Sequence, residues 1–264
     1  MKIAFYVNVQ KDEAVREVAR LKVLAHEAGL DVEDDAKNAN VAVVLGGDGT
    51  MLRAAHELED IPLLGLNLGT LGYLAAVERE HFADAFAALA QRRFSISRRT
   101  ILAVSKGAEK RRALNDVVIS RGETGHMAVL ALNVNGEDIT DFFADGLVVA
   151  TPTGSTAYSL SAGGPLLLPD TPSIVITPIC PHALASRPIV LPDDAKLKIR
   201  VRFRETELAR YAVFADGETV FTPECGEEVE ICKSSRNVAL VCLAGYNPYR
   251  VLTRKLGWGG SSIK

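Results

Sequence analysis

The sequence predicts an α/β domain with a Rossmann-like layer arrangement, followed by a β-sandwich domain. In the first hundred residues, strand-like apolar runs alternate with helical stripes, which is typical of βαβ units. From about Ser95, short alternating segments separated by turn signals such as Asn135-Gly136 dominate and favour an antiparallel sandwich. We therefore expect an α/β domain at residues 1–95, a β-rich domain at 96–245, and a tail at 246–264 that packs on the first domain.

Each element of the first domain has its own signal. Apolar residues recur at helical spacing over residues 11–28 and stop at Gly29, a favourable residue just beyond a helix end. The uninterrupted apolar run Val41–Leu45 suits a strand that is buried on both faces of a parallel sheet. The other elements expected here are strands at 2–9 and 61–66 and helices at 51–58 and 81–90.

The second domain is expected to contain many short strands and one helix, at 155–161. A further helix is predicted in the tail, at 248–256. The expected strands lie at 101–106, 114–120, 129–135, 147–150, 196–203, 209–215 and 238–243.

Composition narrows the class of protein. The chain has 264 residues, 48% of them hydrophobic, which is enough for a large core. A net charge of −3 gives no reason to expect binding to nucleic acid or to an anionic membrane surface. No run approaches the roughly 20 apolar residues of a membrane span, and the four cysteines show no CxxC spacing. We expect a soluble cytoplasmic protein with reduced thiols.

The first motif is Gly46-Gly47-Asp48-Gly49-Thr50, placed where a buried strand turns into a helix. Glycines allow close approach of the backbone to a ligand, and a helix N-terminus favours phosphate. The negative charge of an aspartate repels a neighbouring phosphate. An aspartate in such a loop therefore indicates a function, such as accepting a proton or helping to hold a metal ion. The alternative is a plain tight turn in which Asp48 caps the helix.

The second and third motifs are polar segments at strand ends. Residues 145–165, which contain TPTGSTAYSLSAGGP, combine hydroxyls with small side chains around a predicted helix start and suit a polar planar ligand such as a nucleotide base. The alternative is a serine-rich capped turn. Asn115-Asp116 precedes the apolar run 117–119, and both side chains reach one ligand only at a strand end or bulge. Asn-Asp is also a common turn pair, so alone it indicates little.

Together and in this order, the three motifs resemble the NAD kinase family, and the resemblance covers nearly the whole chain. Further family-like segments are Leu68–Leu74, residues 178–188 and residues 256–258. The glycine loop alone is shared with diacylglycerol kinases and phosphofructokinases, whereas TPTGSTAYSLSAGGP is specific. The resemblance implies transfer of a phosphoryl group from ATP, or polyphosphate in some relatives, to the 2′-hydroxyl of the adenosine ribose of NAD. It also implies a divalent metal cofactor, with Mg²⁺ expected and no ligand residues identified, and a homodimer or homotetramer to which His182 contributes a cross-subunit contact.

The resemblance also implies roles for individual residues. Asp48 is the expected catalytic residue, and Asp216 is expected near the site. The expected phosphate-donor loop is Gly46, Gly47, Asp48, Gly49 and Thr50. The expected NAD-binding residues are Asp48, Gly49, Arg53, Tyr73, Asn115, Asp116, His126, Asp145, Thr153, Thr156, Ala157, Tyr158 and Ser161.

Two positions depart from the family pattern. Asp116 replaces the more usual glutamate and is one methylene shorter, and Phe143 stands at a position linked in the family to the choice between NAD and NADH. Two other functions compete with NAD phosphorylation: a lipid kinase of the diacylglycerol type, based on the glycine loop alone, and a binding module that senses NAD(P) without turnover. The presence of Asp48 argues against the binding module.

Overall fold

The structure, a computed structural model, describes residues 1–8, 12–69, 72–121, 128–203 and 211–258. It divides into two compact units, Met1–Arg98 with Val238–Lys264, and Arg99–Asn237. The domain limits that the sequence analysis places at residues 95 and 245 remain predictions. The helices are α1 (Asp12–Glu27), α2 (Asp48–Glu57), α3 (Phe82–Ala90), α4 (Tyr158–Ser161) and α5 (Pro248–Leu256). The strands are β1 (Lys2–Val7), β2 (Asp31–Glu33), β3 (Val41–Leu45), β4 (Leu63–Leu66), β5 (Phe94–Lys106), β6 (Glu109–Ala113), β7 (Asp116–Arg121), β8 (Ala128–Val134), β9 (Glu137–Ala144), β10 (Gly146–Ala150), β11 (Ser173–Ile179), β12 (Ile189–Pro192), β13 (Leu197–Phe203), β14 (Tyr211–Ala215), β15 (Glu218–Phe221) and β16 (Glu228–Leu243).

The first unit is built on a parallel sheet with strand order β2-β1-β3-β4, and the last part of β16 joins β4 in parallel through Leu240 opposite Leu63. Residues of α1 and α3, including Leu21 and Phe86, form one buried cluster with the sheet. All five residues of β3 are buried, as predicted for a strand covered on both faces. The strand ends at the glycine loop, so the sheet fixes where that loop begins.

The second unit contains two antiparallel sheets. One has the order β12-β11-β10-β7-β14-β15, and in the other the first part of β16 pairs with β13, which pairs with β8 and then β9. Alternate residues such as Val117 and Ile119 of β7 enter a shared core with Leu130 and Leu132 of β8. The predicted fold class, α/β followed by a β-sandwich, is confirmed, and the returning tail belongs to the first unit.

The six-stranded sheet is also covered on its outer face. Val118, Val148 and Val175 point away from the sandwich core and pack with Leu167 and Phe214. This outer face is where the hydroxyl-rich segment after β10 lies. A small second core therefore ties that segment to the middle of the sheet.

Several predicted elements change their limits. Helix α2 begins at Asp48 and not at residue 51, and the helix expected at 155–161 consists of a short 3-10 turn, Gly154–Thr156, followed by α4. Strands β2, β6, β9, β11, β12 and β15 were not predicted, and β16 starts ten residues before the expected position. The tail helix α5 has the predicted limits. Among the described residues, no helix is long and apolar enough to cross a membrane, and the four cysteines are free thiols.

Candidate active site

The glycine loop in the first unit joins the end of β3 to the start of α2. The amide of Gly46 donates to the carbonyl of Leu66, 2.9 Å away, which fixes the loop against the end of β4. Gly47 is the N-cap of α2, and Asp48 is the first residue of that helix. The first amides of a helix have no partner within the helix and are suited to an anion. The local geometry therefore fits the expected phosphate-binding loop.

The side chain of Asp48 is held by a second segment of the chain. Its Oδ2 accepts a hydrogen bond of 2.9 Å from the amide of Tyr73, and its Oδ1 accepts bonds of 2.9 Å from Leu74 and 3.0 Å from Ala75. The interpretation of Asp48 as a simple helix cap is therefore wrong, because Gly47 occupies that position and the carboxylate binds amides of another segment. Three of roughly four lone-pair directions are used, which leaves Oδ2 able to accept one more donor.

The segment that binds Asp48 is itself tightly constrained. A Cβ on Gly72 would lie 2.1 Å from Asp48 Oδ1, so only glycine lets the carboxylate come this close. Asn67 Nδ2 donates to the carbonyl of Ala75 over 3.2 Å, and Asn67 Oδ1 accepts from Gly69 over 2.8 Å. The buried Asn67 was not predicted as a site residue, and its position directly after β4 is the signal that points to it.

Two further predicted residues of the first unit lie near this loop or on α2. Tyr73 is half-buried, and both burial and the charge of Asp48 raise the pKa of its hydroxyl. Lys255 Nζ stands 5.4 Å from the centre of the Tyr73 ring. Arg53 is exposed on α2, one turn after the glycine loop. Its place allows it to neutralise an anion, but the structure assigns it no ligand.

The second unit contains a cleft of about 410 Å³ on the outer face of the six-stranded sheet. This volume lies within the range of roughly 300–1,000 Å³ that is usual for small-molecule sites. The cleft is lined by Asn115, Asp116, Val118, Ser120, Ala157, Tyr158, Phe214, Asp216 and Gly217. Four predicted NAD-binding residues and the predicted Asp216 are therefore brought together in one place.

Asp216 fixes the backbone at the start of β7. Its Oδ2 accepts from the amide of Leu114 over 2.8 Å, and its Oδ1 accepts from the amides of Asn115 over 2.7 Å and Asp116 over 3.3 Å. Asp216 itself has a φ of 49° in the turn between β14 and β15. Asn115 and Asp116 thus stand at a strand end, where both are able to line one cleft.

The hydroxyl-rich segment is bound to the same strand end. Thr151 Oγ1 donates to the carbonyl of Leu114 over 2.6 Å. The amide of Thr151 donates to the carbonyl of Asn115 over 2.9 Å. A Cβ on Gly154 would lie 2.0 Å from the Asn115 carbonyl oxygen, so the two backbones touch. The hydroxyls of Ser159 and Thr177 are 2.9 Å apart. These contacts place Tyr158 at the edge of the cleft.

Asp116 has the strongest electrostatic perturbation in the cleft. Its side chain is 6% exposed, and no described residue donates a hydrogen bond to its carboxyl group. Burial, and secondarily the negative charge of Asp216, raise the pKa of Asp116 to about 7. A carboxyl group in this state changes its charge near neutral pH, which is typical of a ligand-contacting position.

Other predicted residues lie outside the cleft lining. Asp145 pairs with Arg121, whose Nη2 is 3.0 Å from Asp145 Oδ2. Thr153 is buried and accepts a bond of 3.1 Å from Thr156 Oγ1, so these two stabilise the 3-10 turn. Ser161 is exposed at the end of α4. His126 lies outside the described residues.

Phe143 and His182 are also not in the cleft lining. The amide of His182 donates to the carbonyl of Phe143 over 2.8 Å, and both side chains are exposed. Conversely, the cleft includes Val118, Ser120 and Phe214, which sequence reasoning missed. The strand period places 118 and 120 on the face of 116, which was the available signal. Phe214 reaches the cleft only through the pairing of β14 with β7, with Phe214 opposite Val118.

The described residues contain no group of three or more histidine, cysteine, aspartate or glutamate side chains that could hold a metal ion. A Mg²⁺ ion commonly uses only one or two protein carboxylates together with substrate phosphates and water.

Known proteins match both units. Residues 5–94 match the family described as ATP-NAD kinase N-terminal domain, and residues 114–243 match the ATP-NAD kinase C-terminal domain. The NAD kinase of Lachnoclostridium phytofermentans is 38% identical over 237 residues, which cover 86% of this chain and 83% of that protein.

Two solved structures are also similar. The NAD kinase from Archaeoglobus fulgidus, solved in complex with ATP, has a TM-score of 0.81 and 26% identity, covering 98% of this chain and 100% of that one. Yeast NADH kinase complexed with NADH has a TM-score of 0.87, with coverage of 99% and 88%, and at 24% identity it supports the fold alone. With family matches over most of its length and a relative of this identity, the chain belongs to the ATP-NAD kinase family.

Proposed function

We propose that this chain is an NAD kinase that phosphorylates the 2′-hydroxyl of the adenosine ribose of NAD, using ATP, to give NADP and ADP. The observation that carries the proposal is the cleft in the second unit, where Asn115, Asp116 and Tyr158 stand together beside the hydroxyl-rich turn. A glycine loop alone supports many kinases, whereas this cleft offers hydrogen-bonding groups and an aromatic ring to a nucleoside.

The cleft residues are suited to the acceptor. The carboxylate of Asp116 accepts hydrogen bonds from ribose hydroxyls, and the amide of Asn115 both donates and accepts toward a base or carboxamide. Tyr158 is 45% exposed and offers a ring face for stacking. Thr153 and Thr156 support this site in the proposal through the hydrogen bond between them. Asp145 and Ser161 remain proposed NAD-binding residues.

Asp48 is the catalytic residue in the proposal. Its Oδ2 accepts the proton, or orients the O–H bond, of the 2′-hydroxyl, whose oxygen attacks the γ-phosphorus of ATP in line. The bond from the γ-phosphorus to the bridging oxygen breaks and ADP leaves. The loop Gly46–Thr50 binds the donor phosphates through its amides, and the cation Arg53 offsets their charge.

The divalent cation enters the proposal as part of the nucleotide. It neutralises phosphate charge, and Mg²⁺ bound to ATP supplies this without a protein cage. We also propose that the protein works in the cytoplasm as a homodimer or homotetramer, with NAD and ATP as its partners and without nucleic acid or membrane. Light scattering coupled to size exclusion measures the assembly state.

The test is a matrix of donors against acceptors: ATP, GTP and polyphosphate, each with NAD, NADH and diacylglycerol. Formation of NADP from Mg-ATP and NAD supports the proposal. Phosphorylation of diacylglycerol but not NAD, or tight NAD binding in calorimetry without turnover, would contradict it.

A pair of variants tests the role of Asp48. Asp48→Asn keeps the size of the side chain but removes the base, and we expect kcat to fall by about 10²–10⁴-fold. The matched control is Asp34→Asn, which changes an exposed carboxylate of the same unit. Equal rates for the two variants would contradict the assignment.

A further inference from the structure

The tail helix α5 contacts the segment that binds the Asp48 carboxylate. We name residues 72–78 the carboxylate-binding loop. Arg254 Nη1 and Nη2 donate to the two carboxylate oxygens of Glu78, over 2.7 Å and 3.0 Å, and Lys255 Nζ lies 5.4 Å from the centre of the Tyr73 ring. Adjacent residues of one helix therefore reach both ends of one loop.

These two contacts flank the amides that bind Asp48. Tyr73 supplies the first of the three amides, Leu74 and Ala75 supply the others, and Glu78 follows three residues later. The ring of Tyr73, which Lys255 contacts, therefore belongs to the same residue as a donor to Asp48 Oδ2. The helix that makes these contacts is distant in the chain, because Arg254 stands 176 residues after Glu78.

The helix that makes these contacts is well anchored. Asn247 Oδ1 accepts from the amides of Tyr249 over 2.9 Å and Arg250 over 3.4 Å, and Gly257 ends the helix with a φ of 66°. Leu252 is buried. Because both ends of the helix are capped and one side is packed, Arg254 and Lys255 contact the loop from a fixed backbone.

The ion pair differs from an ordinary surface pair in its geometry. Isolated exposed pairs contribute little to stability, whereas a two-point arginine–carboxylate contact adds a defined orientation. The same contact lowers the pKa of Glu78, chiefly through the hydrogen bonds from Arg254. The aromatic contact of Lys255 adds a second attachment on the same helix.

We propose that Arg254 and Lys255 are positioning residues that hold the carboxylate-binding loop, and through it Asp48, in the orientation needed for phosphoryl transfer. The proposal rests on the proposed function, because Asp48 has its catalytic role only there. Neither residue touches a substrate in this account. Their effect passes through Glu78 and Tyr73.

The test is a charge exchange across the pair. Arg254→Glu and Glu78→Arg are each expected to lower kcat about tenfold, because a small displacement of a reacting group has an effect of this size or larger. The double variant restores the pair and is expected to recover kcat to within about threefold of the original. Lys255→Ala is expected to lower kcat about threefold, with recovery in Lys255→Arg, since arginine also interacts with an aromatic ring. The KM for ATP is expected to change by less than about twofold, because Arg254 and Lys255 act on the Asp48 side chain and not on the loop amides that bind the donor phosphates in the proposal.

A matched control separates positioning from general stability. Lys2 and Glu33 form an exposed pair of 2.7 Å in the same unit, with side-chain exposures of 53% and 27% that resemble the 59% and 30% of Arg254 and Glu78. Lys2→Glu is expected to leave kcat unchanged. Thermal unfolding of every variant identifies those that do not fold. If the folded single variants match the wild type in kcat, or if the double variant is no better than the singles, the proposal is overturned.

A measurement without activity covers the case in which the wild-type protein makes no NADP. Amide exchange at residues 73–75, followed by mass spectrometry, is expected to be faster in Arg254→Glu than in the wild type or in Lys2→Glu. If the wild-type protein has no kinase activity, the proposed function is contradicted. Faster exchange in Arg254→Glu would still support the hold of α5 on the loop. Unchanged exchange overturns that hold.

Discussion

Replacement of Asp116 by asparagine is expected to stabilise the folded protein, and to do so more strongly as the pH rises toward 7. Asp116 lies 6% exposed beside Asp216, and its folded-state pKa of about 7 is above the ordinary value of 3.8. The folded state therefore holds this proton more tightly than the unfolded state does. The resulting stability is fully present below pH 3.8 and is lost as the pH rises through about 7, when a buried charge forms. Asparagine stays neutral throughout.

The size of the effect follows from the same two pKa values. Each pH unit between them corresponds to about 1.36 kcal/mol, so the interval from 3.8 to about 7 amounts to roughly 4 kcal/mol. In the experimentally convenient range from pH 5 to pH 8, the free energy of unfolding of the wild type should fall by about 2–3 kcal/mol relative to Asp116→Asn. Above pH 8 the difference should be constant.

Urea unfolding at several pH values measures this difference. Subtracting the variant from the wild type at each pH removes the contributions of all other titrating groups. Asp194→Asn, at an exposed carboxyl of the same unit, is the control and should follow the wild type. A difference between wild type and Asp116→Asn that stays constant from pH 5 to pH 8 would refute the account of Asp116 as a buried, unpaired carboxyl group.

Three more predictions follow from the two sites. The KM for NAD should fall as the pH rises from 6 to 8, because ionised Asp116 accepts ribose hydrogen bonds at both oxygens. Steady-state kinetics should show a KM that does not change with pH in Asp116→Asn. A KM that does not change with pH in the wild type would argue against the contact. Gly72→Ala should lower kcat about tenfold or more, since its Cβ would stand 2.1 Å from Asp48 Oδ1; an unchanged kcat would show that the carboxylate position is not needed. Gly154→Ala should reduce the free energy of unfolding by about 3 kcal/mol, because its Cβ would stand 2.0 Å from the Asn115 carbonyl oxygen; a loss below about 1 kcal/mol in urea unfolding would indicate that the backbone relaxes.

The parts of the fold that sequence predicts well are those set by local pattern. Strand β3 is an unbroken apolar run, and α5 carries its own start and stop residues, Asn247, Pro248 and Gly257. Strand β9 was missed because its first five residues are all exposed and show no alternation. It is a strand because β8 precedes it across the turn Asn135-Gly136 and pairs with it. Such pairing is a property of the hairpin and not of the segment.

The cleft shows a similar division. Asn115, Asp116 and Tyr158 were found from residue type and motif, whereas the cause of the Asp116 perturbation was not. Burial is the main cause and the charge of Asp216 is the second. Both are tertiary, and pairing of β14 with β7 brings the Asp216 turn to the start of β7. No pattern around residue 116 carries this information, because the partner lies 100 residues away.

The position of the Asp48 side chain also depends on a segment outside the glycine loop. From the loop alone, Asp48 is either a helix cap or a group that accepts a proton or helps to hold a metal ion. The contacts with Tyr73, Leu74 and Ala75 argue against the cap, because a cap would bind amides of its own helix. They also give a physical reason for the segment Leu68–Leu74: Gly72 leaves space for the carboxylate, and the residues after it present their amides to it. A chain with the same glycine loop but a side chain at this position cannot hold its aspartate in this way. The loop and the segment therefore form one structural unit, and both determine where the carboxylate of Asp48 lies.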